Sequence, residues 1–145
     1  MSNGFLLDTN IPSELMRSRP EPKLTDWIAA QDISVLFLSV VSIGELETGF
    51  TTMQDAVRRT RLQSALQRLM ADLCPGRVLP VTQAIATRWG RLDGLRQLSG
   101  RPLSAADGMI AATALEHGLT VVTRNVKDFE QLGVPILNPW NAEPQ

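Results

Sequence analysis

The chain has one cysteine, one histidine and no tyrosine in its 145 residues. With Cys74 alone no internal disulfide can form, which suits a reducing cytoplasm. A single cysteine and a single histidine cannot build a Cys/His zinc site. Chemistry by a pair of histidines is excluded as well, and His117, in "EHG", reads as the close of a helix. Aromatic residues make up only 5%, so recognition of nucleic acid by rows of stacked rings is not expected. No apolar run approaches the ~20 residues that cross a bilayer. The first residues lack a basic segment followed by an apolar one, so no signal peptide is expected. The expected location is the cytoplasm.

What is present is an ordinary composition, 43% hydrophobic and 20% charged, and the length suits one domain over residues 1–145 with a real core. The net charge of −1 is unevenly spread. Between Arg58 and Arg101 nine arginines face only Asp72 and Asp93, so this segment carries +7 and the remainder −8. Such a segment is either a set of solvated helix faces or a basic surface for a polyanion, set beside an acidic site elsewhere.

Short β-rich runs alternate with longer helical ones. Phe5–Asp8 is an apolar run, and Pro12 suits the first turn of a helix. A helix is expected around Leu24–Ala30, after Pro20-Glu21-Pro22. Ile33–Ser39, "ISVLFLS", reads as the clearest strand, and either Ser39 or Ser42 could cap the helix through about Thr51. Val57, Leu62, Leu66, Leu69 and Leu73 recur at helical spacing, and Pro75-Gly76 ends that helix. Val78–Val81 is short and apolar. The next helix turns Ile85, Trp89, Leu92, Leu95 and Leu98 inward and is broken by Gly100-Arg101-Pro102. Ser104 begins another, and Gly118 is its natural stop. Leu119–Thr123 reads as a strand, Val126–Leu132 as a short helix and Val134–Leu137 as a final extended piece. Alternation of this kind, with continuously apolar strands, predicts an α/β fold with a parallel sheet covered on both faces. Ligands then sit outside the carboxyl ends of the strands, where "LLDTN" (6–10) and "TRN" (123–125) would meet.

Four acidic residues are candidates for that crevice: Asp8, Glu45, Asp107 and Asp128. Each also has an ordinary explanation. Asp8 could form an Asx-turn. Glu45 lies three residues after Ser42, and Asp107 three after Ser104, both at capping-box spacing. Asp128 could be a solvated acid on a turn. The surroundings favour a site for the first three. Glu45 sits among Val41, Ile43 and Leu46, and Asp107 opens the nearly apolar helix "SAADGMIAATAL". A charge there is costly unless paired or bound to a cation, and Arg124 is the main basic residue near a strand end. A hard divalent metal such as magnesium, with a few carboxylates and several waters, resolves the repulsion.

"LLDTN", "SVVSIGELETG" and "PLSAADGMIAATALEHGLTVVTRNVKDFEQLGVPILNPW", taken in order from Phe5 to Trp140, resemble the PIN-domain nucleases. Within these the chain is most similar to the VapC-type toxins of type II toxin–antitoxin systems. The resemblance implies a three-layer α/β/α sandwich with a central, mostly parallel sheet. It implies a magnesium-dependent endoribonuclease, manganese being a possible substitute, in which a metal-activated water hydrolyses RNA. Asp8, Glu45, Asp107 and Asp128 match the acidic positions, with Asp8 and Asp107 as direct metal ligands. The fourth position is divided between Asn125, where some members carry aspartate, and Asp128. Thr9, Asn10, Ser13 and Thr123 could orient water or substrate, or be turn and cap residues. A cognate antitoxin blocking the site and a homodimer are the implied partners. Two rivals remain. An aspartyl-phosphate enzyme is disfavoured because Asn10 stands where its D-x-D signature needs a second aspartate. A non-catalytic RNA- or protein-binding module draws support from Asn125.

Overall fold

The computed structural model describes residues 2–141. β1 (Phe5–Leu7) leads into α1 (Asn10–Leu15) and α2 (Pro22–Ala29), and β2 (Leu36–Ser39) into α3 (Val40–Thr52) and α4 (Ala56–Leu73). β3 (Val78–Leu79) is followed by α5 (Gln83–Leu98) and α6 (Ala105–His117), then β4 (Thr120–Val122) and β5 (Ile136–Leu137). The sheet order is β3-β2-β1-β4-β5, with every pair parallel. The chain thus steps from β1 to one side, then returns to build the other, and such a switch opens a crevice at the carboxyl end of β1. In register, Leu7 stands between Leu38 and Val122. The residues that follow, Asp8, Ser39 and Thr123, therefore share one edge.

Period-two alternation splits the core between the two faces. Leu6 and Val121 pack with Ile110, Ala111 and Ala114 of α6. Leu7, Leu36, Leu38 and Val122 pack with Ile11, Leu24 and Trp27 of α1 and α2. The three-layer α/β/α arrangement follows directly.

Helix starts are fixed by side-chain caps. Ser39 accepts from Val41 N–H at 3.0 Å, Asp55 from Arg58 N–H at 3.0 Å and Thr82 from Ile85 N–H at 3.2 Å. Gly118, at φ 68°, closes α6 in the left-handed conformation that glycine adopts without strain.

Several sequence expectations are corrected. Ile33–Val35 is a 3-10 turn, capped by the Asp32 carboxylate accepting from Ser34 N–H, so β2 begins only at Leu36. β3 ends at Leu79, before Pro80 and Val81. The helix expected over Val126–Leu132 is only a 3-10 turn over Val126–Asp128. Leu95 and Leu98 do not face inward; they are 65% and 87% exposed. At 100° per residue they lie roughly 80° and 140° round the helix from buried Ile85, so a ladder of three-residue steps walks off the core face. Val57 is exposed for the same reason, roughly 180° from buried Leu66. No helix among the described residues is long and apolar enough to cross a membrane.

Candidate active site

Asp8 extends β1 by one bond, its N–H donating to Val122 O at 2.9 Å. Asp8 is only 5% exposed, and its carboxylate accepts three hydrogen bonds. Oδ1 takes Thr9 N–H at 2.8 Å, and Oδ2 takes the Thr123 hydroxyl at 2.8 Å and the Asn10 amide at 3.1 Å. An Asx-turn would instead use the backbone N–H of Asn10. The turn is closed by the backbone, with Ile11 N–H donating to Asp8 O at 2.9 Å. Asn10 and Thr123 bind this network to the β4 side: Asn10 Oδ1 accepts from Arg124 N–H at 3.2 Å, and Thr123 Oγ1 from Asn125 N–H at 2.9 Å.

Glu45 stands on the second turn of α3 and is exposed. Thr9 Oγ1 lies 2.5 Å from Glu45 Oε1 and 2.9 Å from Ser42 Oγ. A carboxylate can only accept, so the Thr9 proton goes to Glu45 and Ser42 donates to Thr9. The capping box for Glu45 is thereby ruled out: Ser39 is the cap, and Ser42 is buried inside the helix. Ser42 is a site residue the sequence reading missed. Its signal was a hydroxyl in four-residue step with Leu46 and Phe50, on the buried side of the helix.

For Asp107 half of the capping box is real. Ser104 Oγ accepts from Asp107 N–H at 3.1 Å, while the reciprocal bond from the Asp107 carboxylate to Ser104 N–H is absent among the described residues. Asp128 lies exposed on the turn after β4, as does Asn125, whose side chain makes no hydrogen bond among the described residues. Ser13 is exposed on α1.

The electrostatics tie these carboxylates together. Burial pushes Asp8 up to about 6; the Thr123 and Thr9 hydrogen bonds oppose the rise, and the charges of Asp107 and Glu45 add to it. Asp107 is also held above the ordinary carboxylate range, by burial first, then by Asp128 and Glu45, with the Ser104 hydroxyl opposing. The salt bridges among the described residues, Arg17–Glu14 and Arg88–Glu116, reach none of the four. Sequence-distant acids are thus gathered without a countercharge. No three of the metal-ligating side chains described close around one point. The all-oxygen donor set nevertheless fits magnesium, which takes few direct protein ligands and keeps several waters.

A groove of about 1150 Å³ runs from Thr9, Ser13 and Glu45 toward Arg58, Arg61 and Arg68. The basic segment is therefore not one surface. Arg59 donates to the carbonyls of Phe50 and Met53, and Arg77 to those of Leu36, Pro75 and Leu73. Arg88 pairs with Glu116. Only some of the nine arginines face the groove.

Behind Asp107, Gly108 lets Trp89 pack directly on α6. A Cβ there would stand 2.6 Å from Trp89 Cδ1 and 2.9 Å from its Nε1, which is buried without a hydrogen-bond partner among the described residues. Gly108→Ala is expected to lower stability by about 1–3 kcal/mol through overpacking, read by denaturant unfolding. A variant as stable as wild type would show that the indole gives way.

The chain belongs to the PIN domain family, whose model matches residues 5–135. It is similar to the VapC ribonuclease Y4jK of Sinorhizobium fredii, at 39% identity over 136 residues that cover 94% of this chain and 97% of that protein. Toxin FitB of Neisseria gonorrhoeae is 32% identical over 137 residues, covering 94% of this chain and 99% of the other. Among solved structures, FitAcB from Neisseria gonorrhoeae has a TM-score of 0.85 at 32% identity, covering 95% of this chain and 99% of that one.

Proposed function

We propose that this protein is a magnesium-dependent endoribonuclease and the toxin component of a toxin–antitoxin pair. The observation that carries the reading is the mutual electrostatic influence of Asp8, Glu45, Asp107 and Asp128 near the carboxyl edge of the sheet, with no salt bridge to any of the four among the described residues. The names of the two similar proteins, a VapC ribonuclease and a toxin, support RNA as substrate and toxicity as outcome. Asp8 and Asp107 would hold magnesium directly, and Glu45 and Asp128 would act through water, with Asn125 beside them. When bound, the metal supplies Lewis acidity at a phosphate oxygen and lowers the pKa of a coordinated water. Thr9, Asn10 and Thr123 hold the carboxylates of Asp8 and Glu45 in fixed orientation, so no side chain has to be ordered as substrate arrives. Arg58, Arg61 and Arg68 in the groove fix the phosphate backbone in position without reading sequence. Hydrolysis would leave a 5′-phosphate and a 3′-hydroxyl. A cognate antitoxin would block the site by bringing a basic side chain to the carboxylates.

The test is cleavage of labelled RNA by the purified protein with magnesium or manganese, abolished by chelator. Co-expression of the neighbouring gene's product should relieve growth arrest in cells. RNA cleavage that persists in chelator contradicts the mechanism, and a folded, active protein that leaves growth unaffected contradicts the toxin role.

Asp107→Asn separates a ligand from a helix-capping acid. As a mere helix-start charge, Asp107 would contribute roughly 0.5–1 kcal/mol, lost in the variant with or without metal. As a ligand, its removal leaves the metal-free protein equally or more stable and erases most of the magnesium-induced shift in thermal unfolding. A destabilised variant that keeps the full magnesium shift refutes the assignment.

A further inference from the structure

Arg124 stands one residue past Thr123, and its backbone is fixed to the carboxylate network. Its N–H donates to Asn10 Oδ1 at 3.2 Å, and the amide of the same Asn10 donates to Asp8. The side chain is exposed, and the guanidinium carbon lies 5.2 Å from the centre of the Trp140 ring. Trp140 sits in the turn after β5, its own N–H donating to Asn138 Oδ1 at 2.9 Å. Among the described residues the guanidinium makes no hydrogen bond and no salt bridge.

An arginine whose backbone is tied through Asn10 to the Asp8 carboxylate gains most, electrostatically, by swinging onto the acidic cluster. Doing so would neutralise the groups that attract a divalent cation. The indole offers a competing seat, because a guanidinium is drawn to the negative face of an aromatic ring. Stacking occupies only the flat face of the guanidinium. Its in-plane N–H groups remain available in the fork geometry that matches two phosphate oxygens.

We infer that Arg124, held by Trp140, grips a backbone phosphate of the RNA on the β4–β5 side of the carboxylates. The inference rests on the ribonuclease reading above. The groove of Arg58, Arg61 and Arg68 lies on the other side, reached through α3, which follows β2. A strand crossing the site is then held by cations both before and after it passes an acidic cluster that repels it. Arg124 contacts substrate, and Trp140 is a positioning residue that acts only through Arg124.

The experiment measures binding of a fluorescein-labelled single-stranded RNA to the full chain by anisotropy, in chelator and across a salt series. KM and kcat are measured separately with magnesium. Arg124→Ala is expected to weaken binding about tenfold and to flatten the slope of log K against log salt by about 0.7, the value for one phosphate contact on a single strand. KM should rise with little change in kcat. Arg124→Lys keeps the slope, because the charge remains, but recovers only part of the affinity. Trp140→Ala should weaken binding in the wild-type background and add nothing in the Arg124→Ala background. Trp140→Phe, which keeps a ring, should show a smaller loss that also vanishes there, and it serves if Trp140→Ala does not fold. An unchanged salt slope in Arg124→Ala overturns the proposal, as does an equal loss from the Trp140 variants in both backgrounds. A wild type that binds RNA with an Arg124-dependent slope but cuts none keeps the phosphate contact and sinks the nuclease reading. A wild type that neither binds nor cuts RNA overturns both.

Discussion

Asp8→Asn is expected to lower RNA cleavage by at least about 10³-fold, roughly 4 kcal/mol in the barrier at 1.36 kcal/mol per tenfold, without unfolding the protein. The variant keeps the shape of the side chain and loses the charge that would bind magnesium. Its effect on the fold is a balance of two opposed changes. Oδ2 receives Thr123 and Asn10, and Oδ1 receives Thr9 N–H. The single oxygen of asparagine can serve the first pair, which turns its NH₂ toward the Thr9 N–H and leaves that donor unmatched, at a cost of roughly 1–3 kcal/mol. Against this, the variant no longer buries a carboxylate beside Asp107 and Glu45. Labelled-RNA cleavage and thermal unfolding read the two effects separately. Undiminished cleavage by a folded variant would remove Asp8 from the mechanism.

The second large effect is on pH. Asp8 titrates in the folded protein at about 6, against an ordinary value of 3.8. Below the ordinary value both folded and unfolded chains carry the proton. Between 3.8 and about 6 the unfolded chain ionises while the folded one keeps its proton, so unfolding releases it and stability falls as pH rises. The metal-free protein should therefore lose about 2 kcal/mol from this residue between pH 4 and 7, at 1.36 kcal/mol per unit. Asp107 shifts in the same direction. Asp32 is shifted the other way by Ser34 N–H and loses its contribution as pH falls, partly masking the trend at the acid end. The difference between wild type and Asp8→Asn across the pH series isolates the Asp8 contribution. Magnesium competes with the bound proton, so its stabilisation should be small at pH 5 and large at pH 7. Identical pH profiles for the two proteins would show that Asp8 does not titrate as described.

Much of this arrangement was legible in the sequence because its logic is local. "FLLDTN" and "LTVVTRN" each run an apolar strand into polar residues, and a parallel sheet brings such strand ends together. Glu45 and Asp107 stood out as charges among apolar helix residues, and the PIN resemblance matched them to its acidic positions. Other features depended on tertiary placement. Ser39 and Ser42 are equally good caps on paper, and the choice between them rests on where Thr9 arrives. Leu95 and Leu98 continue an apolar series, but α6 covers only the face that carries Ile85. Arg59 and Arg77 look like surface charge, yet they meet backbone carbonyls whose positions no sequence spacing reveals. Arg124 and Trp140 belong to different elements, and only the β4–β5 pairing makes them neighbours.

The bond from Thr123 to Asp8 joins residues 115 positions apart, and that separation sets a timetable during synthesis. Translation proceeds from the amino end at ~5–20 residues per second, so roughly 6–23 s pass between the incorporation of Asp8 and that of Thr123. Throughout that interval the growing chain carries Asp8, and later Glu45, with no β4 to complete the bracket around them. Closing so long a loop is entropically late as well as chronologically late. On the proposed nuclease reading, the chain would stay inert on the ribosome that makes it and become competent only once β4 takes its place beside β1.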